Sequence, residues 1–167
     1  MSVVRGSTGL RNGLGDPGGN IQMQRKRPTA EPRFSIDAGA GSWEHYRTVL
    51  DGGGSLNDNG TLRGRMVAVY DRGGLWQRRA RQDGKTLYGI LEYDITPQTM
   101  ATVGLQWSDI QSKHSATGSF TAYYGDEDSG YRLTPLGARD NLAAQWSYGK
   151  RRKNEIFTRL EHHFNDD

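Results

Sequence analysis

The stretch LRGRMVAVYDR, Leu62 to Arg72, reads as two sequences interleaved. Leu62, Gly64, Met66, Ala68 and Tyr70 form one set, and Arg63, Arg65, Val67, Val69 and Asp71 form the other. A period of two sends these sets to opposite faces of a β-strand. One face is apolar or small throughout. The other carries two arginines and an aspartate.

The same pattern extends in both directions. NDNGT, Asn57 to Thr61, is a strong hairpin turn leading back into a strand where Tyr46, Thr48, Leu50 and Gly52 oppose Arg47, Val49, Asp51 and Gly53. Beyond a tight G-S-W corner, Phe34, Ile36, Ala38 and Ala40 oppose Ser35, Asp37, Gly39 and Gly41. Downstream, Leu87, Gly89, Leu91, Tyr93 and Ile95 oppose Thr86, Tyr88, Ile90, Glu92 and Asp94. TPQT, Thr96 to Thr99, turns into Ala101, Val103, Leu105 and Trp107 against Thr102, Gly104, Gln106 and Ser108. Trp146 to Phe164 is expected as a sixth strand, although Phe157, Leu160 and Phe164 also satisfy helical spacing. Short turns at 57–61 and 96–99 alternate with long connections at 72–84 and 113–141. Charged residues recur on one face of nearly every strand. Strands of roughly 10 residues, apolar outside and polar inside, with short turns at one end and long loops at the other, are the signature of a transmembrane β-barrel. The expected fold is all-β, an up-and-down antiparallel sheet of about six strands.

Composition agrees. The 167-residue chain is 34% hydrophobic, with 23 glycines, eight tyrosines and four tryptophans, which favours turn-rich β structure. No apolar run approaches the ~20 residues of a transmembrane helix. Cysteine is absent, which excludes disulfides and thiolate metal sites. A net charge of +3 falls short of the density of a dedicated nucleic-acid binder.

Gly13, Gly15 and Gly18 match G-x-G-x-x-G. A dinucleotide fingerprint needs a helix opening directly after its third glycine. Here Gly19-Asn20 leads instead into IQMQRKRPT, an alternating segment that reads as a short strand and runs into Pro28. The nucleotide reading is set aside.

The stretch VVRGSTGLRNGLGDPGGNIQMQRKRPTAEP, Val3 to Pro32, resembles the end of the plug domain of TonB-dependent siderophore receptors. GSWEHYR, LRGRMVAVYDR, YGILEYDITPQT and LEHHFNDD follow in the order expected of that family. Ser7 stands where a proline is usual, and Arg11-Asn12 are unusual before the glycines. The resemblance implies that residues 1–32 are the end of a plug and 33–167 the first strands of a roughly 22-stranded barrel. It makes the chain a fragment whose signal peptide and TonB-contacting segment lie outside it. It implies the outer membrane of a Gram-negative bacterium, with a ferric siderophore as transported ligand and no directly bound cofactor. The implied partners are the TonB complex, outer-membrane lipid and lipopolysaccharide. In this frame the glycines serve tight turns where the plug packs inside the wall.

The family assigns Arg5, in V-x-R-G, to contact between plug and barrel wall; a solvated charge is the plainer reading. Trp76, Tyr123, Tyr124 and Tyr131 are loop aromatics, either packing turns and girdles or contacting an iron chelate. GKRRKNE contains a basic run, Lys150 to Lys153, suited to a solvated strand end or to lipopolysaccharide phosphates. His45, His114, His162 and His163 lack carboxylate or cysteine partners at ligand spacing, so no metal site is expected. Asp126 and Glu127 read as loop acids. No nucleophile and base are paired as an enzyme would require. Two other readings stay open. One is a soluble β module for single-stranded nucleic acid, suggested by arginines and loop aromatics. The other is a receptor of the same family for a non-siderophore ligand.

Overall fold

The structure is a computed structural model that describes residues 2–5, 19–114, 123–133, 135, 137 and 139–164. Among the described residues ten strands appear in chain order: β1 Ser2–Arg5, β2 Gly19–Gln22, β3 Arg33–Gly41, β4 His45–Ser55, β5 Leu62–Gly74, β6 Arg81–Thr96, β7 Thr99–Lys113, β8 Tyr123–Tyr124, β9 Arg132–Leu133 and β10 Tyr148–His162. Six of them form one antiparallel sheet in the order β10-β7-β6-β5-β4-β3, so each strand pairs with its sequence neighbour in that sheet. The sheet is open, with β3 and β10 as its edges. The strands β1 and β2 pair with each other, as do β8 and β9.

The expected facing holds across the sheet. Residues directly opposite in a ladder share a face. Ile36 opposes Leu50, Leu50 opposes Ala68, Ala68 opposes Leu87 and Leu87 opposes Trp107. Phe34, Leu91, Val103 and Leu105 lie on that same apolar face, which stays open to the surroundings. Aromatic rings mark both limits of the band. Tyr46, Tyr70 and Trp107 stand toward the long connection, and Tyr93 toward the short turns. The other face carries Arg47, Asp51, Arg63, Arg65, Glu92 and Gln106, with Tyr46 and Arg47 pointing apart as alternation requires.

The segment Trp146 to Phe164 resolves in favour of the strand: Tyr148–His162 pairs residue by residue with β7. Helical spacing of Phe157, Leu160 and Phe164 is overridden by an available edge. The connection expected at 72–84 is narrower, because β5 runs to Gly74 and β6 begins at Arg81. The arginine-rich texture of that segment belongs to strand ends. Strand pairing after Asn20 stops at Gln22, and Met23 to Thr29 lies outside any ladder. Gly13, Gly15 and Gly18 lie outside the described residues.

The turns follow their chemistry. Asn57 closes the 57–61 turn by accepting from Leu62 N at 3.0 Å and donating to Thr61 Oγ1 at 2.7 Å, and Gly60 takes φ 69° there. Trp43 and Glu44 both adopt positive φ between β3 and β4, the geometry of a tight hairpin turn. A bulge between Asp94 and Thr96 lets the two-residue turn close.

Candidate functional site

The charged face is a lattice of ion pairs. Arg65 holds Asp51 with two hydrogen bonds of 2.8 Å, the bidentate fork that suits a carboxylate. Arg63 grips Asp94 the same way, at 2.6 and 2.7 Å, and stands 4.0 Å from Glu92. Arg47 and His45 both reach Asp71, at 3.0 and 3.1 Å. Cross-strand register explains the lattice, since Arg63 opposes Glu92 and Arg47 opposes Asp71 directly.

Across this wall runs a basic strap, Arg25-Lys26-Arg27. Arg25 pairs with Glu155 of β10 and lies 4.3 Å over the ring of Phe157. Lys26 donates to Asp51 at 2.6 Å. Arg27 donates to Glu92 at 2.6 Å and to Glu161 at 3.2 Å. The backbone of the strap is held too: Tyr88 OH donates to the Lys26 carbonyl at 2.8 Å and Arg65 to the Arg27 carbonyl at 2.9 Å. Three consecutive cations thus engage strands β4, β6 and β10. The hydrogen bond that Arg27 donates to Glu92 raises its guanidinium above the ordinary pKa.

Asp51 and Glu92 are only 8% and 4% exposed. Buried carboxylates persist only when paired. Each is covered from one side by the wall and from the other by the strap. Gly104 completes the seat: a Cβ there would fall 2.2 Å from the Phe157 ring, which lies flat over the glycine and presents its face to Arg25.

At the opposite end of the strands, the 75–80 connection is tied to the long one. Asn141, nearly buried, donates to the carbonyls of Arg78 at 2.8 Å and His114 at 2.6 Å. Arg78 N donates to the Arg139 carbonyl at 2.8 Å. Trp76 projects from this tied connection at 53% exposure. Tyr131, 66% exposed, lies between β8 and β9, next to Arg132. Tyr123 and Tyr124 form β8, and their side chains lie outside the described ones. Arg5 ends β1, and its side chain likewise lies outside them. The contact with the charged wall that is described comes from Arg25, Lys26 and Arg27. In the sequence they show only as three cations in a row before Pro28. Arg63 and Arg65 of the charged face are both engaged with carboxylates.

Known proteins place this arrangement. No family model matches the chain. It is 37% identical over 165 residues, 98% of its length, to the ferripyoverdine receptor of Pseudomonas aeruginosa. It is 39% identical over 163 residues to the ferric-pyoverdine BN7/BN8 receptor of Pseudomonas putida. The crystal structure of the ferripyoverdine receptor of the outer membrane of Pseudomonas aeruginosa, bound to ferripyoverdine, superposes with a TM-score of 0.84 at 37% identity over 97% of this chain. The chain spans about a fifth of the length of these relatives, 20% and 19% by sequence and 21% of the solved chain.

Proposed function

We propose, from the premise that this chain belongs to the TonB-dependent siderophore receptors, that it works as part of an outer-membrane receptor for the uptake of a ferric pyoverdine. The observation that carries this reading is the match along 98% of the chain to relatives named for ferric pyoverdines. Residues 1–32 would then be the end of the plug and 33–167 the first strands of the barrel. The apolar face of the sheet would meet lipid and the charged face the lumen, as a barrel wall requires. The strap of Arg25, Lys26 and Arg27 would join plug to wall at the start of the barrel, with Arg5 as a further contact. The two tied connections would face outward, carrying Trp76, Tyr123, Tyr124 and Tyr131 toward the chelate. Energy delivered through TonB would displace or remodel the plug.

The test is radio-iron uptake by cells producing the complete receptor that carries this segment, offered a panel of ferric pyoverdines. Saturable uptake of at least one, lost on deletion of TonB, is expected. Trp76→Ala and Tyr131→Ala should each weaken chelate binding by about 1–2 kcal/mol, the cost of removing an aromatic anchor. Uptake of other metal chelates with none of any pyoverdine would move the assignment to a different ligand.

A further inference from the structure

The outer ends of the strands hold a buried polar side chain that neither the wall nor the strap uses. Asn141 lies in the long connection after β7, yet it is only 8% exposed. Its amide is almost fully spent. Nδ2 gives one hydrogen to the Arg78 carbonyl at 2.8 Å and the other to the His114 carbonyl at 2.6 Å. Oδ1 accepts from Ala143 N at 2.9 Å, and the Asn141 carbonyl accepts from Arg79 Nη2 at 3.2 Å. The position demands two donors and an acceptor on one short planar group, and that is the inventory of asparagine. Asp would set a carboxylate against two carbonyl oxygens, and Ala would reach neither.

These bonds join three stretches distant in sequence: the 75–80 connection, the end of β7 and residues 139–143. Other bonds run the same way. Arg78 N donates to the Arg139 carbonyl at 2.8 Å, and His114 Nδ1 donates to the Arg79 carbonyl at 3.1 Å. Asp140 folds back on Gly137, accepting from its N–H and donating to its carbonyl, both at 2.9 Å, and this turn delivers Asn141. Backbone conformation marks the same place. Arg79 and His114 hold positive φ, 66° and 51°. Non-glycine residues keep such a conformation only where their surroundings over-determine it, and they gather where a ligand is clamped. Trp76 stands two residues before Arg78, exposed on the connection that Asn141 ties down.

We propose that Asn141 is a positioning residue of the receptor's outer pocket: it locks the 75–80 connection to the long one before any ligand arrives, so that Trp76 meets the chelate on a preformed surface. The proposal rests on the uptake reading. Asn141 lies too deep to meet a ligand itself and acts through Trp76. A loop already held in its binding conformation spares the ligand the cost of ordering it, and the saving appears as affinity. Breaking the tie frees the 75–80 connection between the fixed ends of β5 and β6 and leaves the barrel wall untouched.

The test uses the complete receptor in detergent. Calorimetry measures binding of the ferric pyoverdine that the uptake panel selects, and hydrogen exchange is followed on the ligand-free protein. The variants are Asn141→Ala, Asn141→Asp, Trp76→Ala and Asn141→Ala combined with Trp76→Ala. Amides of residues 75–80 should exchange about tenfold faster in both Asn141 variants, with those inside β5 and β6 unchanged. Affinity should fall about tenfold in both, and less than twofold when Asn141→Ala is added to Trp76→Ala. A loss in Asn141→Asp as large as in Asn141→Ala assigns the effect to the donated hydrogen bonds rather than to volume. A merely structural role would cost the same factor in either background; that result, or unchanged affinity in Asn141→Ala, overturns the positioning role alone. A receptor that binds no ferric pyoverdine overturns the uptake reading and the positioning role with it, so the two failures are told apart.

Discussion

Leu91 and Glu92 are neighbours in β6, and their exposures are the reverse of what a water-soluble domain would show. Leu91 is 44% exposed and Glu92 is 4% exposed. The same inversion separates the two walls of the whole sheet. On one wall Leu, Ile, Tyr and Trp face outward, exposed among the described residues. On the other, carboxylates are buried under guanidinium groups. On the barrel reading each wall is adapted to the medium it meets: hydrocarbon would penalise charge on the first, and the second holds its charges by pairing them.

The most severe way to break this contrast is to take away the media. Expressed alone in water, residues 1–167 should not give a monomer with a cooperative melt, because β3 and β10 leave unpaired edges and the apolar wall lies bare. Size exclusion and circular dichroism check it; a soluble, cooperatively melting monomer would show that the sheet closes or pairs in some other way. Next in size is a one-residue displacement of charge in the complete receptor. Leu105→Arg, midway down the lipid wall, should destabilise by about 2–4 kcal/mol in a lipid refolding titration. Gln106→Arg, which faces Glu155 on the other wall, should change stability by less than about 0.5 kcal/mol. Similar costs for both would mean that the walls do not differ in medium.

A smaller effect is expected within the charged wall. Glu92→Ala leaves Arg27 with Glu161 as its remaining carboxylate and weakens the neighbourhood of Arg63, at a cost of about 1–2 kcal/mol once the half-exposure of Arg27 is allowed for. Adding Arg27→Ala to that variant should restore part of the loss, and a double-mutant cycle reads the coupling directly. Additivity would mean the strap merely lies near the wall. The smallest effect belongs to a third environment, the water-exposed loop. Asp126 accepts from Ser129 N at 2.7 Å and from the Ser129 hydroxyl, which lowers its pKa. The turn is therefore fully held above the ordinary carboxylate value of about 3.9 and loosens as pH falls through the lower folded value. A carbon-detected titration should place the Asp126 midpoint below that of an unfolded peptide; an equal midpoint would show the turn is not formed.

Much of the sheet was legible in the sequence because period-two alternation is set by strand geometry alone. Leu62 to Asp71 read the same way before and after the structure. Strand ends were harder. Arg81 to Gly84 look like a loop by composition, yet they pair, because β5 and β7 offer partners beyond the membrane zone where polar side chains are at home on both faces. The strap was visible as residues but not as a site. Nothing local in Arg25-Lys26-Arg27 reveals that Asp51, Glu92 and Glu161 converge on it from three strands. The arginine singled out by family pattern, Arg5, has its side chain outside the described residues.

The strap also decides how tension would travel through the chain. A pull arriving through β2 reaches Arg25, Lys26 and Arg27 before it reaches the hydrogen bond from Ser55 N to the Ala30 carbonyl, where the chain joins the first strand pair. Because the three cations are anchored on separate strands, the load divides among β4, β6 and β10 and meets them together. The edge strand β3 behind the strap, which has one neighbour and would otherwise peel away pair by pair, is spared that load.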